Sequence, residues 1–273
     1  MTERVAVRKT YKLFIGGAFP RSESGRSYPV DGVAGIAGPV HVAQASRKDV
    51  RDAVVAARKA FAGWSGASAY NRGQVLYRVA ELLEERRGQF DQSEIDAAID
   101  RWVWYAGWCD KFAQVAGSSN PVAGPYFNFS LPEPSGVVAV LAPQESSLLG
   151  LVSVLAPVIA TGNTAVVVAA EAKPLAAVTL AEVLATSDVP PGVVNLLTGF
   201  THELAPWLAS HRDVDAIDLT GAAGAERAEL QRAAAENVKR VFAPRPEEWG
   251  SDPGMRRLRA FTETKTVWHP IGV

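Results

Sequence analysis

Only one cysteine, Cys109, and two methionines occur in 273 residues. A lone thiol cannot close an internal disulfide, which excludes a disulfide-stapled secreted domain and leads us to expect a reducing, cytoplasmic setting. There is no excess of either charge: 28 Lys and Arg stand against 29 Asp and Glu, for a formal net charge of -1. The cations are spread along the chain and form no basic stripe, so neither nucleic acid nor an anionic membrane surface is expected as a partner. Apolar runs are interrupted by Pro, Gly or charge before about 18 residues, so no transmembrane helix is expected. The opening MTERVAVRKTYK is charged and has no apolar core of the kind a secretory leader needs. The four histidines, His41, His202, His211 and His269, are scattered singly, without metal-ligand spacing. No internal repeat or low-complexity tract is evident.

What is abundant is apolar bulk. At 48% hydrophobic residues, the chain can bury a large core as one domain, or as one domain with an appendage. Its centre is the stretch 136–168, GVVAVLAPQESSLLGLVSVLAPVIATGNTAVVV. This reads as a buried strand, a turn, an apolar helix and a second buried strand, one right-handed βαβ crossover. A ligand of such a fold meets the loop after the first strand, here Pro143-Gln144-Glu145-Ser146-Ser147. Ser146 and Ser147 read as helix N-caps rather than nucleophiles, because no GxSxG elbow surrounds them.

Before this unit, residues 11–30 alternate around Gly16-Gly17 and predict a hairpin covering a sheet edge. Ser46 predicts the N-cap of a helix that ends at the loop GWSGASAYN, and residues 72–90 predict a second amphipathic helix. A third is expected from about Ser93 to Val115, with Trp102, Trp104, Tyr105 and Trp108 packed in the core at helical spacing. Cys109 lies in it with no base nearby, a structural thiol. Residues 116–135 predict an extended arm or edge strand between prolines. After the central unit, three helix–strand pairs lead to VVNLL, VDAIDLT and VKRVFA, the rhythm of a parallel sheet with helices on both faces. EEWGSDPGMRRL reads as a linker, and FTETKTVWHPIGV as a last strand.

On these same residues the chain resembles the NAD-dependent aldehyde dehydrogenase superfamily over nearly its whole length. The resemblance is carried by KLFIGGAF, DVRDAVVAARKAFAGWS, AAIDRWVWYAGWCDK, EPSGVVAVLAP, LAPVIATGNTAVVV, VPPGVVNLLTG, ASHRDVDAIDLTGA and TETKTVWHPIG. It implies an α/β fold, a Rossmann-like doubly wound parallel sheet with a small β oligomerisation arm. Residues 1–121 and 142–248 would form the domain resembling the family's NAD-binding domain, and 122–141 with 260–273 the arm. The domain that carries the nucleophilic cysteine would be absent, as in the truncated, non-catalytic second unit of one two-unit branch of the family.

The family pattern is altered at each working position. Gln144 and Glu145 stand where the family has Trp-Asn, whose Asn helps hold the oxyanion; an ionised carboxylate cannot donate that hydrogen bond. Pro244-Arg245-Pro246-Glu247 falls where the family's general-base Glu opens its Glu-Leu-Gly-Gly. Val168 replaces a Lys that contacts the adenosine ribose, while Glu171 stands at the ribose carboxylate. Thr220-Gly221-Ala222 replaces the Thr-Gly-Ser that opens the helix over the pyrophosphate. No catalytic residue and no metal ligand are therefore expected, and Glu171, Thr220 and Gly221 are the vestigial cofactor-binding candidates. His202 could also face the cofactor cleft. No resident cofactor is expected, with NAD the one candidate.

The functional expectation is a non-catalytic subunit or scaffold, a pseudoenzyme. It would assemble through its arm as a homo-oligomer, or as a hetero-oligomer with a full-length catalytic aldehyde dehydrogenase. The alternative is an NAD(P)-dependent aldehyde oxidoreductase or nucleotide-binding protein that uses other residues.

Overall fold

The computed structural model describes residues 9–31, 38–244 and 247–272. Most of the stretch read for a leader, and Arg245 and Pro246, lie outside the described residues.

The chain opens with β1 (Thr10–Tyr11), β2 (Ser27–Val30) and β3 (Val40–Ala43), which form a small sheet in the order β1-β3-β2. The expected hairpin is present. Ile15 and Ala18 exchange backbone hydrogen bonds of 2.9 and 3.0 Å across Gly16 and Gly17, whose φ angles of +60° and +81° favour glycine. Phe14 then pairs with Leu196, so this hairpin covers an edge of the main sheet.

α1 (Arg47–Gly66) starts at a complete capping box: Ser46 Oγ accepts from Asp49 N, and Asp49 accepts from Ser46 N. Contrary to expectation, α1 runs on through GWSG, because Trp64 is buried and its indole donates to Ile159 O at 2.9 Å. α2 (Ala69–Glu85) begins earlier than residue 72, capped by Ser68. The third predicted helix is two, α3 (Ile95–Trp108) and α4 (Phe112–Ala116), broken around Asp110. Trp102 and Tyr105 are fully buried, as core packing requires.

Next come β4 (Ser118–Asn120), β5 (Tyr126–Pro134), β6 (Val137–Leu141), α5 (Leu149–Ala160), β7 (Thr164–Val168), α6 (Leu175–Leu184), β8 (Val194–Leu197), α7 (Thr201–Ser210), β9 (Ala216–Asp218), α8 (Gly224–Ala235), β10 (Arg240–Phe242), α9 (Arg256–Ala260) and β11 (Thr262–Pro270). Five strands form one parallel sheet in the order β10-β9-β6-β7-β8. The order reverses at β6, where β7 lies on one side and β9 on the other, which is the switch point of a doubly wound sheet.

The strands alternate between the two faces. Val138, Val140, Ala165 and Val167 pack with α2, α3, α5 and α6, whereas Val137, Ala139, Leu141, Val166 and Val168 pack with α1, α7 and α8. A separate antiparallel sheet, β11-β5-β4, stands beside this body. One boundary needs correction. Val137–Leu141, expected in the arm, is a fully buried strand of the main sheet, and Ser118–Asn120, expected outside the arm, belongs to the small antiparallel sheet. The apolar, doubly covered sequence VVAVL suits a central strand and not an exposed arm. Among the described residues no helix is long and apolar enough to cross a membrane.

Candidate functional site

The carboxyl ends of β6, β7 and β9 open onto a cleft of about 310 Å³ at the switch point. Gln144, Glu145, Glu171, Thr201, His202, Thr220, Gly221 and Glu226 line it, so the three candidate residues and His202 do converge.

Gly221 sits where the turn after β9 crosses the end of β6. A Cβ there would lie 2.0 Å from Ala142 O, and the Gly221 amide donates to Leu141 O at 2.8 Å. Thr220 is held from beneath: its amide and hydroxyl both donate to Asp218 Oδ1, at 2.9 and 2.5 Å. Glu171 is already engaged. One carboxylate oxygen accepts from Thr201 N at 2.6 Å and so caps the first turn of α7, while the Glu171 amide donates to Gln144 Oε1 at 2.9 Å. Tyr28 donates to Glu171 O, and its phenol is pushed well above the ordinary tyrosine range, first by burial and then by the Glu171 charge. His202 is exposed and stacks on Phe200 with ring centroids 5.7 Å apart.

The loop between β6 and α5 is bonded to the chain's own side chains. Ser146 Oγ accepts from Gly150 N at 2.8 Å and donates to Glu94, whose other oxygen takes the Leu148 amide at 2.9 Å. Ser146 so takes an amide of the first turn of α5, but the N-cap position is Leu148, not Ser146 or Ser147 as expected. Glu145 accepts from the indole of Trp249 at 3.1 Å. Cys109 is buried, donates to Tyr105 O, and has its thiol pushed up to about 12 by burial. A thiol so placed stays protonated at neutral pH and is no nucleophile. Pro244 is buried, its carbonyl accepting from Arg227 at 3.1 Å.

The stretch EEWGSDPGMRRL, expected as a linker, is instead tied down over the ends of the strands. Arg257, 3% exposed, donates to Asp218 Oδ2 at 2.6 Å, to Thr220 Oγ1 at 3.0 Å and to Glu247 Oε2 at 3.0 and 3.1 Å. Arg101 donates to the carbonyls of Trp249 and Ser251, at 2.6 and 3.0 Å. These two arginines were missed from sequence. Arg101 lies 52 to 150 positions from its partners and Arg257 10 to 39 from its own, and no local pattern marks the pairing.

A dinucleotide fits this cleft only in part. A second cavity of about 250 Å³ lies between α7 and α8, lined by His202, Ala205, Pro206, Leu230 and Ala233 together with Glu226 and Glu229, and it shares His202 and Glu226 with the cleft. The diphosphate region is less suitable. Glu145, Glu171 and Glu226 line the cleft, and Arg227 and Arg257 reach only the backs of Thr220 and Ala222 without joining the lining, so the carboxylates facing the cleft oppose a phosphate. Among the described residues no group of three or more His, Cys, Asp or Glu is placed to hold a metal ion.

The model of the aldehyde dehydrogenase family matches residues 37–244. Cytosolic aldehyde dehydrogenase 1 of Elephantulus edwardii is 33% identical over 248 residues, 84% of this chain and 49% of that protein. Human retinal dehydrogenase 2 is 33% identical over 251 residues, 85% of this chain and 48% of that protein. Among solved structures, an aldehyde dehydrogenase of Bacillus cereus in complex with NAD+ superposes with a TM-score of 0.78 at 28% identity. That match covers 85% of this chain and 50% of the other. The chain thus spans about half the length of the relatives it matches. It belongs to the aldehyde dehydrogenase family.

Proposed function

We propose that this member of the aldehyde dehydrogenase family is a non-catalytic subunit or scaffold, which assembles through its small antiparallel sheet with a second copy or with a full-length dehydrogenase. The observation that carries this reading is the Glu145–Trp249 hydrogen bond. The loop position from which the family mechanism asks for a hydrogen-bond donor holds a carboxylate, and the chain's own indole occupies it. The buried, protonated Cys109 and the proline at position 244 support the same conclusion, since neither can attack a carbonyl or move a proton.

Assembly is supported by the sheet β11-β5-β4. Its long strand β11 has one unpaired edge, and Tyr126, Phe127, Leu131 and Trp268 are exposed on the sheet. The test joins two measurements on the purified chain, turnover with a broad aldehyde panel plus NAD or NADP, and mass by light scattering alone and with a full-length dehydrogenase. No turnover, together with a mass above one chain that falls in Phe127→Glu/Trp268→Glu, is expected. Robust turnover, or a monomer that binds no dehydrogenase, overturns the reading.

The second reading is nucleotide binding. The cavity between α7 and α8 favours it, because it adjoins, through His202 and Glu226, the cleft that Glu171 lines, so a base in the cavity can bring its ribose toward that carboxylate. Saturable thermal protection by NAD, lost in Glu171→Ala, would establish it.

A further inference from the structure

A cavity of about 260 Å³ lies under the Glu247–Arg257 segment, separate from the switch-point cleft. Arg101 of α3, Ser153 of α5 and Arg257 of α9 contribute to its wall, together with Glu248 and Asp252. The two arginines are 8% and 3% exposed, and they differ in one respect. Arg257 faces two carboxylates, Asp218 and Glu247. Arg101 forms no ion pair among the described residues. It donates only to Ser153 Oγ at 2.9 Å and to the carbonyls of Trp249 and Ser251.

A guanidinium carries five N–H donors, so about two of those on Arg101 remain unused. One turn along α3, the fully buried Tyr105 hydroxyl has no partner among the described residues. A buried charge is ordinarily matched by an opposite one, and among the described residues Arg101 has only the longer-range pull of the exposed Asp252, with no ion pair. On the outer side the imbalance is reversed. Among the described residues Glu248 and Asp252 are exposed and form no ion pair, though Asp252 acts on Arg101 at longer range, whereas Glu247 is engaged by Arg256 and Arg257. Among those residues the cavity therefore has within it a buried cation that forms no ion pair, and at its rim exposed carboxylates that form none.

We propose that this cavity binds a small amino carboxylate, its carboxylate group on Arg101 and its ammonium group on Glu248 or Asp252. The flat Trp249 ring on the wall would cover the methylene chain between them. The site stands independently of the scaffold reading, which turns on aldehyde turnover and mass.

The experiment is calorimetric titration of the purified chain with glycine, β-alanine, 4-aminobutyrate, butyrate and butylamine, with thermal shift as a second readout. At least one of the three amino acids should bind and raise the melting temperature, with 4-aminobutyrate at least about tenfold tighter than butyrate and butylamine if it is the best of them. Arg101→Met should abolish the binding. Because that change also removes bonds to the covering segment, the exposed pair Glu248→Gln/Asp252→Asn provides the decisive variant. It should reduce the best amino acid about tenfold or more while leaving the melting temperature of the free chain unchanged. Absence of binding by all three amino acids, or binding unaltered in the double variant, overturns the proposal.

Discussion

Arg257 Nη1 lies 2.6 Å from Asp218 Oδ2, and both side chains are withdrawn almost wholly from solvent, at 3% and 0% exposure. The pair joins the short helix just before β11 to the end of β9, beneath the Thr220–Gly221 turn. The C-terminal segment is therefore anchored to the candidate site. Arg257→Ala strands the Asp218 charge in the interior and should destabilise the fold by about 3–5 kcal/mol, whereas Asp218→Ala leaves Arg257 paired with Glu247 and should cost less. Urea unfolding checks this. The double variant should lose clearly less than the sum of the singles, and full additivity would show that the two do not interact.

Cys109 should resist alkylation in the native state. Burial holds its thiol near 12, so at pH 8 iodoacetamide should label it only after unfolding, on the timescale of denaturation. Mass spectrometry of native and urea-treated protein reads the difference. Rapid native labelling would contradict the buried, structural role.

Lys239 makes stability depend on pH above neutrality. Its ammonium group donates to the carbonyls of His211 and Val214 at 2.8 and 2.5 Å, and burial lowers its pKa from 10.5 to about 8, with Asp215 acting in the opposite sense. Between those values the unfolded chain binds more protons than the folded one, so this group's contribution to stability rises with pH from about 8 to 10.5. Below pH 8 both states are charged and the penalty is constant. Denaturation midpoints of wild type and Lys239→Met across this range should differ in slope, with the rise confined to the wild type.

Glu171 acts as a helix cap as matters stand. Glu171→Ala removes the acceptor of the Thr201 amide and an anion at the N-terminus of α7, and should cost about 1 kcal/mol. Glu171→Gln, which keeps an acceptor oxygen, should recover part of that loss in the same chemical denaturation. Equal losses in both would assign the effect to the charge alone.

Much of this architecture was legible because its signals are local. Ser46 and Asp49 stand three residues apart and form the capping box, and Gly16-Gly17 supply the positive φ angles of a two-residue hairpin. VVAVL and TAVVV, apolar on every position, could only be strands covered on both faces, and they lie side by side at the centre of the sheet. Boundaries were less legible. α1 continues past Gly63 because Trp64 finds a carbonyl on α5, 95 positions away, and no helix-stop rule within GWSG anticipates that partner. The candidate site divides in the same way: Gly221 and Glu171 were identified by position in a motif, whereas Trp249 and Arg257 lie in a stretch that carries no motif of its own, and Arg101, inside a matching segment, was read only as part of a helix.

The sequence by itself determined the parallel α/β layering and the crossover at β6, because each depends on residue type and short-range period. Tertiary structure alone decided what those residues meet. It set Trp249 against Glu145 over 104 positions and Arg257 against Asp218 over 39, and it buried Arg101 against Ser153 and two carbonyls of the covering segment. The physical reason is that a charge or a donor in a sequence carries no direction. Its partner is chosen by the packing of helices and strands, which brings distant segments within about 3 Å only once the core has formed.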